Sequence, residues 1–211
     1  MKISELNKCF DEKIVFDNFT CEFKDGAINY LLGESGSGKT TLLRIIAGLD
    51  KDYTGNVPHF DEKIAVVFQE PRLFPAITVL KNVQIVNDKS VTTSVELLKL
   101  VELEDSMNLY PNELSGGMKM RVSLARALNF NASIYLLDEP FGALDEATKE
   151  RLLPKVFEIL KNKTVIIVSH NLDEANKYAD NIINLNDIIS WTRNSSLLLK
   201  TTSAYAWGRF L

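Results

Sequence analysis

Short apolar runs and segments with helical spacing of apolar residues follow one another along most of this chain. The apolar runs lie at 27–32, 64–68, 133–137 and 163–169, with a shorter one at 181–185. Runs of this kind predict buried strands of a parallel sheet. Helical spacing follows at 41–49, 119–128, 146–153 and 173–179. Because strands and helices alternate, the pattern predicts an α/β fold.

The N-terminal part of the chain departs from this alternation. Within residues 2–32, Ile14–Phe16 and Phe19–Phe23 alternate between apolar and polar residues as half-buried strands do, and Lys24–Gly26 is a turn sequence. These features predict a small N-terminal antiparallel β-subdomain. Residues 50–60 are rich in turn-forming residues and are predicted to be turn and loop.

A second departure is a helical stretch without any strand-like run. Residues from about 77 to 115, which begin after Pro75 and contain Pro111, have apolar positions at helical spacing. They predict an α-helical subdomain inserted into a single domain that covers residues 1–186. The remaining residues, 187–211, are a C-terminal tail whose role the sequence leaves open. Its aromatic side chains would pack as a cap or contact a partner.

Composition and charge narrow the class of protein. The 211 residues are 45% hydrophobic and 25% charged, as in an ordinary globular protein, and the formal net charge is −4. This acidic balance gives no support for general binding to nucleic acid. No apolar run approaches the roughly 18 residues that a membrane span requires. The chain would therefore be cytosolic, or would sit at a membrane only through a partner.

A glycine-rich loop connects the apolar run at 27–32 to the helix at 41–49. Its sequence fits the phosphate-loop pattern G-x-x-x-x-G-K-[ST]. Backbone N–H groups of such a loop, together with the helix N-terminus, bind phosphate oxygens. Lys39 would reach the β- and γ-phosphates, and the Thr40 hydroxyl would bind Mg²⁺. The residues predicted to bind the nucleotide here are Gly33, Glu34, Ser35, Gly36, Ser37, Gly38, Lys39, Thr40 and Thr41.

Polar side chains follow three of the predicted strands, at the sheet edge where ligands bind in α/β proteins. Gln69 would contact Mg²⁺ or the attacking water, and Asp138 suits the Mg²⁺ coordination shell. Glu139 could polarise a water for attack on the γ-phosphate, and His170 could converge on the same phosphate. From the residue types and their positions alone, Gln69 could equally be an ordinary polar residue at a strand end, and His170 could be a structural histidine.

Two further positions are candidates for binding ATP. Ser115, Gly116 and Gly117 precede the helix at 119–128, so Ser115 would cap a second helix N-terminus that can bind an anion. Such a sequence is often no more than a helix cap. Phe10 precedes the phosphate loop by two strands and could stack on a nucleotide base or lie in the core.

Taken together and in this order, these residues resemble the ATP-binding subunit of ABC transporters over roughly residues 1–186. The phosphate loop and Gln69 are similar to the family's Walker A loop and Q-loop. Leu114–Met118 resembles its signature motif, and Ile134–Glu139 its Walker B strand with catalytic Glu139. The resemblance implies a P-loop NTPase (RecA-like) core.

The remaining motifs extend the likeness. Asp145 ends a segment that resembles the D-loop, and the resemblance implies that it contributes to ATP binding. His170 matches the switch histidine, and Phe10 falls where the family keeps its base-stacking aromatic residue. The segments Val67–Pro75 and Leu114–Met118 are most similar to importers of the nitrate/sulfonate/taurine type.

This family resemblance implies cofactors, partners and a location. ATP and Mg²⁺ would be bound between two cassettes, so that each phosphate loop faces Ser115 and Gly117 of a second copy or a homologous subunit. The helical subdomain and the Gln69 loop would dock on integral-membrane permease subunits, and the family also allows a substrate-binding protein as a partner. The chain would be peripheral, on the cytoplasmic face of the cell membrane.

Two other classes of protein share part of this pattern. A soluble ABC-type ATPase that acts on ribosomes or nucleic acid generally has two cassettes or a long coiled-coil insertion, and the sequence contains neither. A small-molecule kinase or GTPase would share the phosphate loop but would have no use for Gln69, His170 or the signature residues. The first reading, an ATP hydrolase that powers a permease, accounts for all of the motifs.

Overall fold

The computed structural model describes residues 1–11, 13–60, 62–87 and 91–186, and the predicted tail at 187–211 lies outside them. Two short 3₁₀ turns, Glu104–Ser106 and Pro111–Glu113, accompany the regular elements. In chain order the elements are β1 (Lys2–Phe10), β2 (Lys13–Glu22), β3 (Ile28–Leu32), α1 (Lys39–Ile46), β4 (Thr54–Asn56), β5 (Ile64–Val67), α2 (Val79–Gln84), α3 (Val91–Leu100), α4 (Gly116–Asn129), β6 (Ile134–Asp138), α5 (Glu146–Leu160), β7 (Thr164–Ser169), α6 (Leu172–Tyr178) and β8 (Asn181–Asn184).

The centre of the fold is a parallel five-stranded sheet in the order β5-β6-β7-β3-β8. All five residues of β6 are buried, which explains why this strand is an unbroken apolar run that ends in Asp138. Side chains alternate between the two faces of the sheet. Tyr135 and Leu137 belong to one hydrophobic core, and Leu136 belongs to the core on the opposite face. The predicted α/β fold is confirmed.

The N-terminal strands form a separate antiparallel sheet in the order β2-β1-β4. The predicted strands at 14–16 and 19–23 belong, apart from Phe23, to one irregular strand, β2, in which Asn18 has a φ of 49°. The prediction that residues 50–60 are only turn and loop is wrong, because β4 lies within them and pairs with β1. All three β4 residues are exposed, so no hydrophobic pattern marks this edge strand.

Close backbone packing explains the glycine in this edge strand. Gly55 has a φ of 106°, and a Cβ atom added there would lie 2.3 Å from the Glu5 carbonyl oxygen. A larger residue could not adopt this geometry without moving β1. The glycine that favours a turn in the sequence thus allows a strand pairing in the fold.

The helical subdomain consists of α2 and α3 with the two 3₁₀ turns, and it packs against α4. In the chain it lies between β5 and β6, with its elements between Val79 and Glu113. On the surface, Arg151 of α5 donates to both carboxylate oxygens of Glu102, at 2.8 and 2.9 Å. Among the residues that the structure describes, no helix combines the length and hydropathy that crossing a bilayer requires.

A buried carboxyl group joins α6 to the central sheet. The hydroxyl of Tyr30, on β3, donates to Glu174 at 3.0 Å, and both residues are almost fully buried. Burial raises the pKa of Glu174 above its ordinary value, although the bond from Tyr30 acts in the opposite direction. The folded protein therefore binds the proton of this carboxyl group more tightly than the unfolded chain does.

The raised pKa of Glu174 gives a pH-dependent stability. A carboxyl group whose folded pKa lies above its unfolded pKa, about 4.3 for glutamate, stabilises the fold below that unfolded value and loses this contribution as pH rises through the folded pKa. As pH rises from about 4 to about 8, we expect the free energy of unfolding of Glu174→Gln, which can still accept from Tyr30, to increase by about 1 kcal/mol relative to that of the wild type. Urea unfolding at both pH values measures this. The exposed Glu150→Gln is the control, and a pH-independent difference would contradict the expectation.

Candidate active site

One cleft of about 730 Å³ runs between the antiparallel sheet and the edge of the parallel sheet at which its strands end. The β-subdomain and the phosphate loop provide most of its lining. Their lining residues are Phe10, Lys13, Val15, Ser35, Gly36, Gly38, Lys39, Thr40 and Thr41. The ends of strands β5, β6 and β7 contribute the other polar side chains, Gln69, Asp138, Glu139 and His170. The cleft therefore joins the residues from the two sheets that the sequence predicts to bind and hydrolyse a nucleotide.

The phosphate loop passes directly beneath the β-subdomain. Gly38 has a φ of 100°, and a Cβ atom there would lie 2.7 Å from Val15 and 2.9 Å from Phe16. Only glycine fits this position, which is the residue before α1. Lys39 begins α1, and its buried ammonium donates to the backbone carbonyls of Gly33 and Glu34 at 2.6 and 2.7 Å. These bonds hold the cation inside the curve of the loop.

A second contact connects α1 to the end of β6. The Thr40 hydroxyl donates to Oδ2 of Asp138 at 2.8 Å. The other carboxylate oxygen, Oδ1, is buried and has no hydrogen-bond partner. Burial raises the pKa of Asp138 above its ordinary value, in spite of the bond from Thr40. An uncompensated carboxylate oxygen in a polar cleft is suited to a cation.

Glu139 and His170 form a pair at the same sheet edge. Nδ1 of His170 lies 3.0 Å from each carboxylate oxygen of Glu139. The backbone N–H of Glu139 donates to Val168 on the neighbouring strand, and its φ of 49° turns the chain sharply after β6. Because β6 and β7 are adjacent and parallel, their ends necessarily bring these two side chains together. The His170 side chain is 74% exposed and can contact a ligand.

Phe10 lies at the end of β1, on the other side of the cleft. It is 48% exposed, so the structure excludes the alternative that it is a core residue. Lys13 and Val15 lie beside it and were not predicted to line the site. The pairing of Phe10 with Lys13 across the β1–β2 hairpin brings them there. The sequence alone does not give this hairpin register, and for that reason it does not predict these two lining residues.

Seven predicted ATP-binding residues do not line this cleft: Gly33, Glu34 and Ser37 of the phosphate loop, and Ser115, Gly116, Gly117 and Asp145. Ser115 caps α4 by accepting from the backbone N–H of Met118 at 3.2 Å. Asp145 caps α5, where it accepts from the N–H and the hydroxyl of Thr148 at 2.9 and 2.7 Å. These bonds hold the pKa of Asp145 below its ordinary value. Ser115, Gly116, Gly117 and Asp145 therefore lie outside the cleft that contains the phosphate loop of their own chain.

The fold and the cleft define an ATP-binding cassette, a P-loop NTPase with an attached β-subdomain and an inserted helical subdomain. The family model of the ABC transporter matches residues 16–142. The chain belongs to the ABC transporter family, as its sequence motifs predict.

Curated relatives are also similar over most of their length. The aliphatic sulfonates import ATP-binding protein SsuB of Bacillus thuringiensis is 38% identical over 200 residues, which cover 87% of this chain and 80% of the relative. SsuB of Bacillus subtilis is 42% identical over 76% of this chain and 68% of its own length. These relatives agree with the predicted likeness to importers of the sulfonate type.

Solved structures support the same conclusion. A dimeric structure of the ATP-binding cassette MJ0796 in a post-hydrolysis state, bound to ADP and Pi, has a TM-score of 0.75 and 33% identity. The structural alignment covers 87% of this chain and 93% of the MJ0796 chain. A dimeric structure of MJ0796 described as a bacterial ABC transporter cassette has a TM-score of 0.76 and 32% identity. The prediction of an ATP-hydrolysing cassette is confirmed.

Proposed function

We propose that this chain binds and hydrolyses ATP to power solute import by a membrane-embedded permease. The observation that carries the proposal is the cleft that joins Lys39, the unpartnered oxygen of Asp138 and the Glu139–His170 pair. The names of its relatives, which are import proteins for aliphatic sulfonates, favour small organic sulfonates or similar anions as the imported solutes. Direct recognition of the solute would belong to other subunits.

ATP binding would use both walls of the cleft. The exposed ring of Phe10 provides a flat surface on which the adenine base stacks. Lys39 and the backbone N–H groups of the loop from Gly33 to Thr41 would bind the phosphates at the start of α1. To do so, the Lys39 ammonium has to exchange its bonds to Gly33 and Glu34 for phosphate oxygens.

The residues beside the phosphate loop fit Mg²⁺. This ion prefers oxygen ligands and commonly takes only one or two carboxylates from the protein. Thr40, Asp138 and Gln69 offer hydroxyl, carboxylate and amide oxygens in one cleft. The buried, unpartnered Oδ1 of Asp138 is the atom that most requires a cation. When bound, Mg²⁺ would neutralise part of the negative charge that develops on the phosphates.

Glu139 and His170 would carry the hydrolytic step. The Glu139 carboxylate orients or deprotonates a water that attacks the γ-phosphate in line. His170 holds this carboxylate through Nδ1 and, being largely exposed, can steady the transferred phosphoryl group with its other ring nitrogen. Lys39 counters the charge on the departing phosphate oxygens.

A complete site would require a second cassette. Ser115, Gly116 and Gly117 lie outside the cleft of their own chain, and the first backbone N–H groups of α4 can bind phosphate. In a head-to-tail dimer, these residues and Asp145 would meet the γ-phosphate held by the partner's phosphate loop. The second subunit would be another copy of this chain or a homologous ATPase subunit.

The permease would dock on the helical subdomain and on the segment that follows Gln69. Phe74 in this segment is 51% exposed. We expect the tagged full chain, solubilised from membranes of its own cell, to co-purify with a multi-span permease, and a substrate-binding protein could accompany it. Phe74→Asp should reduce permease recovery at least about tenfold, because it places a charge in an apolar contact, while ATP binding is unchanged. Quantitative mass spectrometry measures the recovery.

The matched control is Leu49→Asp. Leu49 is 53% exposed and lies outside the two docking segments, so its replacement should leave permease recovery unchanged. Recovery of ribosomes or nucleic acid in place of a permease would favour the alternative, a soluble ABC-type ATPase. Equal loss of permease from both variants would contradict the proposed docking surface. A permease partner would place the chain on the cytoplasmic face of the membrane.

A further inference from the structure

Lys8 on β1 is a lysine with an almost fully buried side chain. It is 3% exposed, although lysine is among the residues that are rarely buried. Its ammonium donates to Oδ1 of Asp50 at 3.0 Å, to the backbone oxygen of Asp52 at 2.6 Å and to Oδ2 of Asp52 at 3.2 Å. Burial lowers the pKa of Lys8, but the bonds to the two aspartates outweigh this effect and leave it above its ordinary value. The ammonium is therefore charged and fixed in place.

The same ammonium lies against the aromatic ring at the edge of the cleft. Nζ of Lys8 is 4.5 Å from the centre of the Phe10 ring, within the range of a cation–π interaction. Because Lys8 covers one face of the ring, a base can stack only on the other face. An exposed aromatic ring at a strand end has several rotamers open to it, and this contact favours one of them.

The aspartates connect this contact to the phosphate loop. Asp50 follows α1, and its backbone N–H donates to the carbonyl of Arg44 in that helix at 3.2 Å. Oδ1 of Asp50 also accepts from the backbone N–H of Asp52 at 3.0 Å. A continuous chain of contacts thus runs from α1, which begins at the phosphate loop, through Asp50 and Lys8 to Phe10. It links the helix that follows the phosphate loop to the antiparallel sheet that carries Phe10.

We propose that Lys8 is a positioning residue for nucleotide binding, whose ammonium, fixed by Asp50 and Asp52, holds the Phe10 ring at the distance from the phosphate loop that a nucleotide requires. This inference rests on the proposed function, in which Phe10 stacks on the base. Lys8 does not line the cleft and acts through the ring. It therefore contributes to the recognition of the base and not to that of the phosphates.

The test compares a ligand that has a base with one that has none. Calorimetric titration of the full chain with ATP and with inorganic tripolyphosphate separates the two halves of the site. We expect Lys8→Met to weaken ATP binding about fivefold and to leave tripolyphosphate binding within about twofold of wild type. In steady-state hydrolysis, the KM for ATP should rise while kcat is unchanged. Lys2→Met, an exposed lysine on the same strand, is the control.

Phe10→Ala separates this inference from the function on which it rests. Loss of the ring should weaken ATP binding by about tenfold, and adding Lys8→Met to it should have little further effect because both act through the ring. Equal weakening of ATP and tripolyphosphate by Lys8→Met, or no weakening of either, would overturn the role of Lys8 alone. If Phe10→Ala leaves ATP binding unchanged, the base-stacking assignment fails as well. If Lys8→Met does not fold, Lys8→Gln, whose amide can donate to Asp52, replaces it.

Discussion

Replacing Glu139 with glutamine should reduce ATP turnover by at least about 100-fold while ATP binding is retained. The amide has the shape of the carboxylate but can neither accept the proton of the attacking water nor carry negative charge. Lys39, Thr40 and Asp138 are unchanged in this variant, so ATP and Mg²⁺ should still bind. Because hydrolysis no longer removes the nucleotide, the variant should accumulate as an ATP-bound dimer.

Two measurements test the Glu139 variant together. Phosphate release gives the turnover rate, and size-exclusion chromatography at saturating Mg-ATP gives the oligomeric state. Glu158→Gln, which changes an exposed residue of α5, is the matched control and should behave as wild type. A Glu139→Gln protein that stays monomeric and hydrolyses ATP normally would show that both the catalytic role of Glu139 and the ATP-driven dimer are misassigned.

The variant Ser115→Arg should lose hydrolysis to a similar extent for a different reason. In the proposed dimer, Ser115 contacts the phosphates held by the other chain, and a long cationic side chain at this cap would keep the two surfaces apart. Ser115 does not line the cleft of its own chain, so the affinity of the monomer for ATP should stay within about twofold of wild type. Phosphate release and equilibrium binding to the monomer measure the two effects separately.

Ser133→Arg is the matched control for the Ser115 variant. Ser133 is exposed just before β6, at the sheet edge opposite to the cleft, so Ser133→Arg should change neither quantity. If Ser115→Arg abolishes ATP binding to the monomer, the signature residues act within their own chain, and the head-to-tail arrangement is wrong.

Most of this site can be predicted from the sequence because the site residues lie at or next to the ends of strands. Asp138 ends the buried strand β6 and Glu139 follows it, and His170 directly follows the buried strand β7. In a parallel sheet, all strands end at the same edge, so the linear positions of these residues already imply their proximity. The phosphate loop can be predicted in the same way, since its conformation depends on its own glycines and on the helix that directly follows it.

The features that the sequence does not predict depend on pairings between distant segments. β4 has only exposed residues and is a strand because β1 offers it a free edge. Lys13 reaches the cleft through the register of a hairpin. Lys8 is a charged residue that would be expected on the surface, and its burial depends on aspartates more than 40 positions away. Hydrophobic periodicity and secondary-structure propensity do not indicate contacts between such distant segments.

The backbone at Glu139 implies a conflict between folding and activity. A φ of 49° is left-handed, and such a conformation typically costs a non-glycine residue about 1 kcal/mol or more. Glycine or asparagine at this position would relieve the strain but would remove the carboxylate. If Glu139 has the catalytic role proposed above, selection for ATP turnover acts against selection for stability at this residue. A copy of this cassette that no longer hydrolysed ATP would be free to gain stability at this position.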